Sequence, residues 1–374
     1  MSRRDILKLA VALGGAAAVE PWTKLGAACA AIDGGKQESL EALREVAAAR
    51  GIIFGSAIPK KNLFSDPLFS RLVARQCGIL VPELELKWEA LRPAPDQFDF
   101  RGGDWLYQYA QSNRMLFRGH TLVWEAAMPS WFDKTVNAQN AKSILTEHVS
   151  TVVSHYAGKV HSWDVVNEGF RIEDGRPDGL KATPWLNFIG PDYIATAFHA
   201  AHEADPAAAL YYNENWLEPE TEASEKKRRA VLAMLSSLKK KGVPIHGLGI
   251  QSHLFAEANV TGPNFRRFLD EVRDLGLAIA VSELDVRDKN LPASQEIRDR
   301  MVADQYYKYL SFVLNCQAVK TVVTWGLSDR YTWIARSQGR PDGLPVRPLP
   351  YDANLEPAAA RWAVQRALEQ AAPR

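Results

Sequence analysis

Two stretches of the chain carry an apolar, β-branched run into a carboxylic acid: Trp163-Asp164-Val165-Val166-Asn167-Glu168, and Ile279-Ala280-Val281-Ser282-Glu283-Leu284-Asp285. Valine and isoleucine favour extended backbone, so each reads as a strand that stops at its acid. Either glutamate alone reads as an ordinary solvated strand end. As a pair they could cleave a glycosidic bond, one as acid and the other as nucleophile or base, through an oxocarbenium-like transition state. Side chains alternate along a strand, so Asn167 and Glu168 can serve one ligand only if the strand ends there and its loop turns away. Five further strand-like segments end on groups of similar kind: Glu83 with Lys87 and Trp88, His120 with Trp124, Asn213 with Glu214, Gln251 with His253, and Trp325. The set supplies two principal carboxylates, hydrogen-bonding amides, histidines with carboxylate partners, and aromatic platforms. It holds no serine in a nucleophile elbow, no phosphate-cradling glycines and no Cys/His spacing of a zinc site. A metal site from His120, His253 and Glu283 is the rival arrangement. It is disfavoured because His253 and Asp285 are better placed to orient Glu283. No cofactor is expected.

The elements that must gather these ends alternate regularly. Strands are expected at 51–57, 79–83, 115–120, 163–168, 209–214, 248–253, 279–283 and 321–325. Helices are expected at 38–49, 67–76, 102–111, 138–156, 192–203, 224–241, 265–275, 297–314 and 355–370. The run Glu225-Lys226-Lys227-Arg228-Arg229 reads as a solvated helix face. Near-continuous apolar strands mark a parallel sheet buried on both sides. Eight such units close into an α/β fold of the (β/α)8 TIM-barrel type, a single domain over 38–371. No glycine-rich fingerprint follows the first strand, which argues against a dinucleotide-binding sheet. In a barrel all the C-terminal strand ends face one mouth, where barrel enzymes place their chemistry.

Composition narrows the partners. The 374 residues are 47% hydrophobic and 24% charged, ample for a core. Lys+Arg 45 against Asp+Glu 44 leaves no basic excess for nucleic acid or an anionic membrane. The 11 tryptophans offer flat faces suited to sugars, although core packing explains most tryptophans. Arg3-Arg4, the short apolar run Leu9 to Val19 and the small residues around Ala27–Ala31 describe a twin-arginine export signal over 1–31. The mature protein is then periplasmic or secreted, and a monomer is the default. Cys77 and Cys316 are expected as two buried thiols.

At these residues the chain resembles glycoside hydrolase family 10, the retaining endo-β-1,4-xylanases. The resemblance runs from about Gly51 to Ala367. Its pieces are Glu83-Leu84-Glu85-Leu86-Lys87-Trp88, Arg118-Gly119-His120-Thr121-Leu122-Val123-Trp124, the Trp163–Glu168 run, Gly249-Ile250-Gln251-Ser252-His253, Ser282-Glu283-Leu284-Asp285, and Trp325-Gly326-Leu327-Ser328-Asp329 with Trp333. It implies Glu168 as general acid/base and Glu283 as nucleophile on xylan or xylo-oligosaccharide. It implies that Asp285 holds His253 against Glu283, that Asn167 donates to the sugar 2-hydroxyl, and that Gln251 supports the same region. Glu83, Lys87 and His120 would bind glycone hydroxyls, and Trp124, Trp325 and Trp333 would wall the reacting sugar. Glu168 must carry its proton while Glu283 is ionised, so neighbouring negative charge and burial are expected to raise its pKa.

The chain also departs from the family pattern. Leu84 stands where Asn is usual, Glu125 where His is usual and Ala127 where Gln is usual; Glu214-Asn215-Trp216 replaces Asp-Tyr-Asn on the leaving-group side. Cleavage should survive, with affinity for linear xylan reduced or preference moved to substituted or short oligosaccharides. A β-1,4-glucan substrate on the same site and a barrel that binds polysaccharide without cleaving it are the alternatives.

Overall fold

The computed structural model describes residues 40–374, so the expected export signal lies outside the described residues. Among the described residues there are nine strands: β1 (Ile53–Ile58), β2 (Ile79–Pro82), β3 (Leu116–Val123), β4 (Ser162–Asn167), β5 (Ala209–Glu214), β6 (Gly247–Ile250), β7 (His253–Phe255), β8 (Ala278–Arg287) and β9 (Val319–Thr324). Each of β1 to β5 pairs in parallel with the next; β6 then pairs with β8, β8 with β9, and β9 with β1. Eight strands therefore close into the expected (β/α)8 barrel. The ninth, β7, arises because the expected strand 248–253 breaks at Ser252, whose φ is 65°. Beyond that break the chain pairs with the far end of β8, His253 opposite Asp285 and Phe255 opposite Arg287. Ala42–Arg374 form one compact unit.

The helices begin where the sequence supplies caps. The Asp66 carboxylate accepts from the Leu68 and Phe69 N–H groups at the start of Pro67–Gln76, and Thr221 caps Glu222–Lys240. Burial opposes the charge on Asp66, but the Phe69 N–H, Tyr331 and Arg330 together lower its pKa to about 2. Short helices at Lys60–Ser65, Trp88–Leu91, Phe132–Thr135, Pro184–Ile189 and Ile334–Ser337 were not expected. Each is too brief to show a 3.6-residue period.

Strand contacts are close. A Cβ on Gly119 would lie 2.0 Å from the Trp163 ring, so β3 can carry only glycine beside that fully buried indole. One residue further on, β3 and β4 share a polar knot. Arg118 donates to Asp164 at 2.5 Å, with both side chains 2% exposed. Asp164 also engages His120 Nδ1 at 3.0 Å. Two desolvated groups persist together because each satisfies the other, and the knot fixes the imidazole of His120.

The solvated face expected at Glu225–Arg229 is a correction. Ser224, Lys227, Arg228, Val231, Leu235 and Leu238 are buried, the i, i+3, i+4, i+7 stripe of a helix that faces the barrel. Arg228 donates from Nη1 to the Leu217 and Pro219 carbonyls, and Lys227 pairs with Glu214 at 2.8 Å. Cys77 and Cys316 are buried and free, as expected.

Candidate active site

A cleft of about 340 Å³ opens at the C-terminal ends of the strands, and eleven of the twelve expected side chains line it: Glu83, Lys87, His120, Trp124, Asn167, Glu168, Gln251, His253, Glu283, Trp325 and Trp333. The twelfth, Asp285, is fully buried behind His253. A larger groove of about 700 Å³ lies between the loop 170–181 and Glu222–Lys240. Its cations Arg176, Lys226, Arg229 and Lys241 are each ion-paired with an acid, and it offers no comparable carboxylate pair.

Three strand ends reach the cleft by the same device. Glu168, Trp216 and Ser252 adopt left-handed backbone, with φ of 55°, 56° and 65°. At each, the turn defeats strand alternation. Asn167 and Glu168 both face the cleft, as do Asn215 and Trp216, and Gln251 and His253 flank the third turn.

Amides join the two acids. Asn213 Nδ2 donates to Glu283 Oε1 at 2.7 Å and to Asn167 Oδ1 at 2.8 Å. Gln251 Nε2 donates to the same Asn167 oxygen at 3.2 Å and to Glu168 Oε1 at 2.9 Å. With its carbonyl oxygen occupied twice, Asn167 is left with its NH₂ as the group to offer a ligand. Asn213 accepts from Ser282 Oγ at 2.6 Å, which sets its own orientation. Asn213, visible in the sequence only as a polar strand end, is a fully buried hub.

Around Glu283, His253 Nδ1 donates to Asp285 Oδ2 at 2.9 Å and Nε2 to Glu283 Oε2 at 3.2 Å. Burial opposes a charge on this imidazole, yet Asp285 and Glu283 together raise its pKa to about 10. His253 is therefore a cation held between two carboxylates. Trp333 Nε1 also donates to Asp285 Oδ2, at 2.9 Å, so this indole is tethered as well as placed as a wall.

Glu168 departs from expectation. Burial pushes its pKa up, but donation from Gln251 and from Trp124 Nε1 at 3.0 Å, with the charges of Lys181 and Lys227, outweighs it. The net result is a carboxyl below its ordinary value. Lys181 is buried, contacts Glu125 and reaches to 3.9 Å from Glu168 Oε2. Glu125, expected near the site, thus acts on it through a lysine that local sequence did not reveal.

Glu214 is a further correction, because it points away from the cleft. It is fully buried, accepts from Tyr212 Oη at 2.5 Å and from the Phe170 N–H at 3.1 Å, and so anchors the loop that follows Glu168. Tyr212 Oη accepts from the Gly169 N–H at 2.9 Å.

The opposite wall holds Glu83, Lys87 and His120. Burial raises the Glu83 pKa to about 7, against the pull of Lys87 and Arg336. Lys87 Nζ lies 4.9 Å from the Trp124 ring centre and 6.0 Å from that of Trp325. Trp325 does two jobs, lining the cleft and packing on Ala57, Ile79, Val81 and Val323 inside the barrel. Leu84 is 46% exposed, whereas Ala127 is buried.

The family model described as Glycosyl hydrolase family 10 matches residues 42–367. The endo-1,4-beta-xylanase A of a Caldicellulosiruptor species is 33% identical over 330 residues, covering 83% of this chain but 45% of that protein. The chain therefore spans less than half of that relative's length. The beta-1,4-xylanase of Dictyoglomus thermophilum is 34% identical over 326 residues, covering 83% of this chain and 86% of the relative. Among solved structures, native xylanase 10B from Thermotoga maritima superposes with a TM-score of 0.79 at 33% identity, covering 88% of this chain and 98% of that one. Xylanase 10B from Thermotoga petrophila in complex with xylobiose gives 0.79 at 32% identity, covering 88% and 97%.

Proposed function

The chain belongs to glycosyl hydrolase family 10, and from that premise we propose that it is a retaining endo-1,4-β-xylanase. The observation that carries this reading is the convergence of Glu168 and Glu283 on one cleft, linked through Gln251, Asn167 and Asn213. Glu283 Oε attacks the anomeric carbon while Glu168 gives its proton to the glycosidic oxygen, whose bond to that carbon breaks. Glu168 then takes a proton from water, the water oxygen attacks the same carbon, and the ester to Glu283 is released. His253, protonated and braced by Asp285, holds the nucleophile. The free NH₂ of Asn167 meets the 2-hydroxyl, where hydrogen bonding strengthens in the transition state. Glu83, Lys87 and His120 bind hydroxyls of the glycone, and Trp124, Trp325 and Trp333 enclose the reacting ring.

Glu168 has to gain its proton with substrate in place. A sugar that expels water adds to the burial term, which already acts upward. A glycosidic oxygen set against the carboxyl supplies an acceptor that favours the protonated form.

The departures support a shifted preference among xylan-type substrates. Exposed Leu84 and buried Ala127 offer no hydrogen bonds where polar groups are usual, and Trp216, 49% exposed, adds an apolar platform on the leaving-group side. A lost hydrogen bond to a neutral hydroxyl costs about 0.5–1.5 kcal/mol, which lowers affinity without abolishing turnover. Hydrolysis of aryl xyloside against aryl cellobioside separates xylan from β-1,4-glucan preference. We also infer export through residues 1–31 to the periplasm or medium, as a monomer; among the described residues no helix is long and apolar enough to cross a membrane.

The test is product analysis on linear xylan with two variants. Glu283→Ala should remove turnover, and Glu168→Ala should impair substrates with poor leaving groups most. Undiminished hydrolysis by Glu283→Ala would reject the assignment.

A further inference from the structure

Among the described residues, one arginine of the cleft is ion-paired with no carboxylate. Arg287 closes β8, is 5% exposed and lines the site. Among the described residues its Nε has no hydrogen-bond partner and no carboxylate is ion-paired with its guanidinium. Of the two acids whose charge acts on it, Asp285 accepts from His253 and Trp333 through Oδ2 and keeps Oδ1 without a hydrogen-bond partner, and Glu218 accepts from the Ser252 N–H at 2.7 Å; neither is ion-paired with the guanidinium. Burial outweighs the pull of Asp285 and Glu218 and lowers the arginine's pKa, the mark of a desolvated cation lacking full compensation. An arginine stays charged even so, and a buried charge without a partner is costly.

Its placement is specific. Residues two apart on a strand share a face, so Glu283, Asp285 and Arg287 project to the same side of β8. Arg287 stands roughly 13 Å along the strand from Glu283, at about 3.3 Å per residue. Its guanidinium lies 5.5 Å from the Trp333 ring centre and 5.2 Å from that of Phe255. Phe255 in turn stacks on Trp216, at 6.4 Å and 28°. The cation is thus held between aromatic faces, along the cleft from the reacting carbon and toward Asn215 and Trp216.

We propose that Arg287 is a specificity residue that binds the carboxylate of a uronic-acid branch on a xylan-type substrate. The proposal rests on the xylanase reading of the same cleft. A planar guanidinium matches a carboxylate fork in two parallel hydrogen bonds, whereas a neutral sugar hydroxyl leaves the charge uncompensated. Aromatic walls on both sides restrict its rotamers, so little ordering remains to be done on binding. A branch carboxylate entering from the Trp216 side would complete the pair that the protein itself leaves open.

The test uses three oligosaccharides of one backbone length: unbranched, glucuronate-branched, and branched with the uronic acid reduced to its neutral hydroxymethyl form. Kinetics are measured on the wild type, Arg287→Met and Arg287→Lys, and binding by calorimetry on Glu283→Gln with and without Arg287→Met. The wild type should favour the acidic branch over its reduced twin by about tenfold in kcat/KM, carried by KM. That preference should vanish in Arg287→Met, shrink in Arg287→Lys, and weaken with added salt. Equal handling of the two branched substrates by the wild type overturns the proposal, as does a preference that persists in Arg287→Met. Should no oligosaccharide be cleaved, the xylanase reading falls, and the calorimetric ratio of acidic to reduced ligand still decides Arg287.

Discussion

Replacing Lys227 by methionine separates a buried ion pair from a surface one, and the two differ severalfold in magnitude. Lys227 Nζ lies 2.8 Å from Glu214 Oε1 and 2.6 Å from Asn215 Oδ1, with Glu214 fully buried and Lys227 9% exposed at its side chain. Exposed pairs contribute about 0–1 kcal/mol. Removing one partner of a buried pair costs about 3–5 kcal/mol, because a charge is left behind. Lys227→Met should therefore lose stability in the buried range by urea denaturation at pH 8. Burial already raises the Glu214 pKa, and Lys227 is the first group that opposes this. Without the lysine the folded pKa rises further. A carboxyl raised on folding costs nothing well below its unfolded value near 4.5 and costs progressively more above it. The gap between variant and wild type should accordingly be wide at pH 8 and narrow at pH 4. Glu214→Gln/Lys227→Met should recover most of the loss, since no charge remains to desolvate. A gap under about 1 kcal/mol at pH 8, or one independent of pH, would refute the buried-pair reasoning.

Two other expectations concern the reacting groups. Lys181→Met should raise the Glu168 pKa and so carry the alkaline limb of the pH–rate profile upward, because the acid must hold its proton. Glu125→Gln frees Lys181 to act on Glu168 alone and should carry that limb downward; limbs that move the same way would sink the Glu125–Lys181 relay. His253, raised to about 10 on folding, contributes stability that is complete below its unfolded value near 6.5 and is lost as pH rises toward 10. Urea unfolding of His253→Asn should therefore show a flatter decline over that window than the wild type, and identical slopes would count against a cationic His253.

The barrel was legible because apolar strands and capped helices repeat locally. Strand 209–214 and helix 67–76 match residue for residue, the latter bounded by Asp66 and Pro67 at one end. The cleft was legible for a related reason: strand ends reveal themselves in order, and the barrel converges them. What sequence did not show depends on distant approach. The lowered pKa of Glu168 needs Lys181 from the following loop and Lys227 from the helix that follows β5. The charged run at 225–229 has the composition of a solvated face, but its helical phase turns Lys227 and Arg228 inward. Asn213 was visible only as one polar strand end among several, and its role appears once Glu283, Asn167 and Ser282 surround it.

On the proposed mechanism, the left-handed turn at Glu168 sets folding against catalysis at a single residue. An L-residue there costs about 1–2 kcal/mol that glycine would not incur. Substitution by glycine would relax the backbone and delete the acid in one step. A library screened for thermal stability alone should therefore drift toward inactive barrels through position 168, so any programme to harden this protein has to select on turnover and melting together.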